Sequence, residues 1–214
     1  MILFIKLIET IKMKFIQVIL LSLLGVLLST VSLAQNNNSP VDYLNVPGPI
    51  SFNNTSYNLS WTSHPSATYY KQEYLVKGDT AARFKTMLLL EVLTGSTDVK
   101  SIADNKVAEL KNMKLTNPIV TYELTGNSTT GEYFLDFVVS DNAPNGKVNI
   151  AERNIYRYTT FTDKAGKKGI LLFGISVRSY GNETGKFLAA LKLNKNDLLA
   201  KVKQFSIPVI TIKR

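Results

Sequence analysis

The sequence predicts an α+β fold: an antiparallel sheet of about five to seven strands with two amphipathic helices packed on one face. Three observations predict it. Short apolar–polar alternations are separated by turns rich in Asn, Gly and Pro. Two longer segments repeat apolar residues at helical spacing. The strands also come in runs and do not alternate one by one with helices, which speaks against a parallel α/β sheet.

Ahead of the domain, the chain reads Met13-Lys14-Phe15, then an uncharged apolar stretch to Leu33, with small residues at Ser32 and Ala34. A positive start, an apolar middle and a small-x-Ala end predict a secretory signal over residues 1–34, cleaved before Gln35. Met1–Lys12 is apolar with Glu9 inside, which makes Met13 an alternative start. The apolar stretch approaches the roughly 17–25 residues of a bilayer-spanning helix, so an uncleaved anchor is the competing reading. Residues 35–48 are expected to be a flexible mature amino terminus, followed by one α+β domain over residues 49–214. No membrane span is expected after cleavage.

Ile50–Phe52 and Tyr57–Trp61 alternate on either side of Asn53-Asn54-Thr55, the pattern of a hairpin. Tyr70–Val76 alternates as a further strand and stops at Lys77-Gly78-Asp79. Thr80–Phe84 reads as a single helical turn. Met87–Leu93 is an apolar run that periodicity assigns equally to a buried strand or a helix. Ser101–Lys114 places Ala103, Val107, Leu110 and Met113 on one helical face, with Ser101 as its N-cap and Asn117-Pro118 as its stop. Four strands then follow, over residues 119–125, 132–140, 147–162 and 170–179, joined by polar turns. Thr184–Phe205 is the second helix. Its stripe of Leu188, Leu191, Leu198, Val202 and Phe205 is interrupted by Asn194-Lys195-Asn196, which predicts a kink or two abutting helices. Pro208 ends it, and Val209–Ile212 reads as a last strand.

The stretch Glu73–Asp79, its apolar continuation, the helix at Ser101, the meander and the late helix together resemble the layout of PsbP-like α/β sandwich proteins. The resemblance covers the mature chain at the level of element order. It implies a fold and not an activity.

Composition excludes much chemistry. The 214 residues contain no cysteine and one histidine. Disulfides, thiolate catalysis, zinc–thiolate and iron–sulfur sites and a lipobox are therefore excluded. A domain that does without disulfides behind an export signal leans toward a bacterial envelope protein, and Asp79-Thr80-Ala81 looks like the O-glycosylation acceptor motif of exported Bacteroidetes proteins. His64 lies in Ser63-His64-Pro65 with no nucleophile-elbow motif nearby, and reads as a loop-packing residue. Asp141, Asn145, Gly146, Asn149 and Glu152 match some positions of a calcium loop, but Ala143 occupies a ligand position and strands flank the segment. No metal and no cofactor are expected. Arg153, Tyr156, Arg157 and Tyr158 interleave basic and aromatic residues without matching a nucleic-acid motif, so nucleic-acid binding is not expected. The net charge of +9 falls to about +7 when Lys6, Lys12, Lys14 and Glu9 leave with the leader. That surplus favours loose association with anionic surfaces without identifying one, and it is equally that of a basic protein with no such partner. The partner is left open, with an envelope protein or an anionic polymer as the candidates.

Strand parity gives the sharpest expectation. Tyr133, Leu135, Phe137 and Val139 share one face and leave Asp136 on the other; Leu171, Phe173, Ile175 and Val177 likewise leave Arg178 opposite. Arg153 and Arg157 share a face, and Glu123 lies opposite Tyr122 and Leu124. The second face of the sheet is thus expected to gather Glu123, Asp136, Arg157 and Arg178, either as a polar ligand groove or as cross-strand ion pairs. The expected function is an exported, non-enzymatic envelope or secreted protein binding a partner or ligand through this face or through the aromatic hairpins around Trp61, Tyr69 and Tyr70. The alternative is a carboxylate-dependent hydrolase of a glycan using Glu123 and Asp136.

Overall fold

The computed structural model describes residues 39–95 and 98–213, so the leader expected over residues 1–34 lies outside the described residues. Eight antiparallel strands form one sheet: β1 (Ile50–Phe52), β2 (Thr55–Ser66), β3 (Tyr69–Leu75), β4 (Thr86–Thr94), β5 (Thr121–Asn127), β6 (Glu132–Asn142), β7 (Val148–Thr162) and β8 (Lys168–Tyr180). Their order is β1-β2-β3-β4-β8-β7-β6-β5. The first four walk from one edge to the centre. Helix α1 (Val99–Lys114) carries the chain to the far edge, and β5–β8 walk back until β8 pairs with β4.

The α+β class stands, and the sheet exceeds the five to seven strands expected. The ambiguous apolar run resolves as β4, which sits between β3 and β8 with Leu88, Leu89 and Leu90 all buried. A central strand covered on both faces needs no alternation, which is why periodicity was silent there.

The expectation that both helices pack on one face is corrected. Val99, Ala103 and Leu110 of α1 pack with Leu89, Leu135, Phe137, Ile170 and Leu172. Helix α2 (Thr184–Gln204) sends Val202 into the other cluster, with Leu90, Ile155, Leu171, Phe173 and Ile175. Since Leu89 alternates with Leu90, and Ile170 with Leu171, the helices cover opposite faces. Both β4 and β8 are apolar on both sides, and each side requires its own cover.

Local signals explain the ends. Asp98, not Ser101, caps α1, its carboxylate accepting from the Ser101 amide at 3.0 Å. Asn194 leaves helical geometry at φ −118° and ψ 27°, which is the kink foreseen at that point in α2. Thr80 and Arg83 bridge each other in a tight turn, so the expected helical turn at Thr80–Phe84 does not form. Val209–Ile212 joins no sheet ladder. It runs beside the amino-terminal segment, with Thr211 donating to the Leu44 carbonyl at 3.0 Å, while Ile210 and Ile212 are buried.

Packing also begins ahead of residue 49. Leu44 and Val46 are buried, and the buried Gln72 explains their place on β3. Its side-chain oxygen accepts from the Leu44 amide at 2.9 Å, its nitrogen donates to the Tyr74 hydroxyl at 2.6 Å, and that hydroxyl donates to the Val46 carbonyl at 2.7 Å. A buried amide with every group paired fixes register without a desolvation cost left over.

Candidate functional site

Three of the four expected site residues meet on one face. Glu123 pairs across strands with Asp136, and Arg157 sits two positions from Ile155, the partner of Asp136 on β7. Helix α2 lies on this face. Arg178 does not join them. It alternates with Val177 and Ile175, so it emerges on the α1 side, where it pairs with Glu152 and its guanidinium lies 4.1 Å over the Phe84 ring. The two-sided apolarity of β8 hides this from parity, because Leu171 and Leu172 are equally good core residues.

The polar side chains under α2 fasten the helix. Arg153 grips Asp136 with two bonds, Nε to Oδ1 at 3.0 Å and Nη2 to Oδ2 at 2.8 Å, both side chains almost fully buried. Arg153 also donates to the Lys195 carbonyl at 2.5 Å, next to the kink at Asn194. Arg157 donates to Glu132 at 2.7 Å and to the Phe205 carbonyl at 2.8 Å, with the Lys203 carbonyl at 3.4 Å. A cation on the last carbonyls of a helix satisfies orphan acceptors and opposes the negative end of its dipole. Sequence parity put Arg153 beside Arg157. It did not supply Glu132, which stands at the very start of its strand.

Only the second half of α2 is held this way. In the first half Leu188 and Leu191 are half-buried and Leu193 is 85% exposed. Between this half and β5–β6 lies a cleft of about 390 Å³, within the size range of small-ligand sites. Its floor holds Thr121, Glu123, Asp136, Val138 and Arg153; its wall holds Leu188, Leu191, Lys192 and Lys195. Glu123 forms an ion pair with Lys195, and this hydrogen bond, with the charge of the same lysine, holds its carboxyl below the usual range. Lys192 has no ion-pair partner among the described residues.

The opposite face carries a second polar band beside α1. A bulge between Leu59 and Trp61 turns them to opposite faces: Leu59 pairs with Tyr74 on the α2 side, and Trp61 pairs with Glu73 on the α1 side. Lys71 sits 3.0 Å from Glu73 and 3.7 Å from Glu91, and 5.8 Å from the Trp61 ring centre. Burial works to lower the Lys71 ammonium, and the two carboxylates overcome it and raise it. His64, expected in a loop, lies instead within β2, where its Nδ1 is 2.9 Å from the Tyr69 carbonyl and its ring stacks on Tyr70 at 4.1 Å. Among the described residues no group of three or more His, Cys, Asp or Glu could hold a metal ion, and no helix is long and apolar enough to cross a membrane.

One family model matches the chain over residues 44–207, from the first core residue of the amino-terminal segment to just beyond α2. The match gives no support to the PsbP-like resemblance. No curated protein and no solved structure matches the chain.

Proposed function

The chain belongs to that uncharacterised family, and for it we propose an exported, non-enzymatic binding protein that takes its ligand on the sheet face beneath the first half of α2. The observation that carries this reading is the cleft of about 390 Å³, apolar on the helix wall and charged on the floor and rim. A largely apolar concavity with a few convergent polar groups is the usual form of a ligand site. Export rests on the leader pattern before Gln35.

The carboxylates favour binding over hydrolysis. A glycosidase acid must hold a proton at working pH. Glu123 is held ionised by Lys195, and both Asp136 oxygens accept from Arg153. The lowered carboxyl of Glu123 is unsuited to supply that proton, and the oxygens of Asp136 are taken up by an arginine.

The test is a thermal-shift titration of the purified protein with soluble anionic oligosaccharides and with short carboxylates of increasing chain length. Leu188→Trp, which fills the cleft, serves as the control. The reading expects a class that raises Tm of the parent protein and not of the variant. Equal shifts in both would place binding elsewhere. Amino-terminal sequencing of the exported species should begin at Gln35.

A further inference from the structure

The sheet has two edges, and they differ. At one, β1 is three residues long and follows Pro47 and Pro49. At the other, β5 presents seven residues, with no proline, no lysine and no break in its register with β6. Among the described residues nothing pairs with its outer side. Proline, bulges and edge charges, lysine above all, are among the devices that blunt an open strand. Strand β5 has no proline, bulge or lysine and a single charge. That charge, the exposed Glu123, is paired with Lys195.

Lysines from the helices line up along this edge instead. On the α2 side the outward-alternating positions of β5 are Thr121, Glu123 and Thr125. Lys192 shares the cleft with Thr121, Lys195 pairs with Glu123, and Lys203 shares the adjoining groove with Thr125. On the α1 side, the Lys114 ammonium is 5.9 Å from the Tyr122 ring centre. An added strand rises about 3.3 Å per residue and turns every second side chain to the same face. Three cations therefore flank this edge on the α2 side, the side to which an added strand turns every second side chain, at i, i+2 and i+4.

We propose that β5 is a docking edge for an extended acidic segment of another protein, which joins the sheet as a ninth strand and sets alternate carboxylates against Lys192, Lys195 and Lys203. Main-chain hydrogen bonds hold such a segment, and the spacing of its charges selects it. This proposal rests on the edge and its lysines and needs no ligand in the cleft.

Fluorescence anisotropy on the purified protein tests it with three labelled peptides. One is Glu-Val-Glu-Thr-Glu-Val-Glu-Thr, the second is its isomer with the four Glu contiguous, and the third is the first peptide N-methylated at alternate residues. The alternating peptide should bind at least tenfold tighter than the isomer, and N-methylation on the edge-facing register should abolish binding. The combined Lys192→Glu, Lys195→Glu and Lys203→Glu variant, its fold checked by circular dichroism, should lose at least tenfold in affinity. Equal binding of the two isomers, or binding that survives N-methylation, would show plain charge attraction and overturn the proposal. Sedimentation showing two copies joined through β5 and closed to the peptide would overturn it as well.

Discussion

The two halves of α2 rest on the same sheet face by different means. The second half is fixed by Val202 in the core, by Arg153 on the Lys195 carbonyl, and by Arg157 on the carbonyl of Phe205. Phe205 then stacks on Phe173 at 4.6 Å and meets Phe52 edge-on at 5.2 Å. Beyond the kink at Asn194, the first half has Leu188 and Leu191 half-buried over a cleft. On this face Arg157 and Glu132 are consumed in seating the helix, Glu123 is left on the floor of the cleft, and Arg153 with Asp136 does both.

The difference should be largest at the buried ion pair. Arg153→Ala leaves Asp136 buried and unpaired and should cost about 3–5 kcal/mol, read from urea unfolding. Arg153→Met with Asp136→Leu should recover most of that loss, since the cost lies in the orphaned charge. Arg157→Ala should cost about 1–3 kcal/mol by leaving helix carbonyls and Glu132 without their donor. Val202→Ala should cost about 2 kcal/mol. Leu191→Ala on the cleft-lining half should cost about 1 kcal/mol, because part of the side chain stays in water and it borders a cleft. Comparable losses at Leu191 and Val202 would erase the distinction between the halves.

The smallest effect concerns the amino-terminal segment beside that seated half. Burial raises the Asp42 carboxyl, but the Val46 amide, Lys213 and Gln72 together bring it below its ordinary value. A carboxyl lowered by folding stabilises above its unfolded pKa, and the contribution disappears as pH falls through the folded value. The stability gap between the parent protein and Asp42→Asn should therefore be full near pH 7 and should close below about pH 4. A gap independent of pH would remove the charge from the explanation.

Much of the fold was legible because strand and helix periods are local properties. The β5–β8 meander, α1 and the break at Asn194-Lys195-Asn196 follow directly from them. What was not legible depends on long-range covering. Leu171 and Leu172 are both buried, and nothing local says which faces which helix; this misplaced α2 and with it Arg178. The bulge at Leu59/Trp61 breaks the parity that sequence pattern assumes. At the site, Asp136, Glu123 and Arg157 were found by alternation. Of their partners, Arg153 was placed on that face by parity, whereas Glu132, at the first position of β6, and Lys195, on α2, were not.

Native-state hydrogen exchange along α2 tests the central claim most directly, since local opening tracks the packing that holds each turn. Amides over residues 188–193 should exchange at least a hundredfold faster than those over residues 198–204, with the step at Asn194. Uniform protection along the whole helix would mean that the first half is seated as firmly as the second and that no separate ligand cleft exists beneath it.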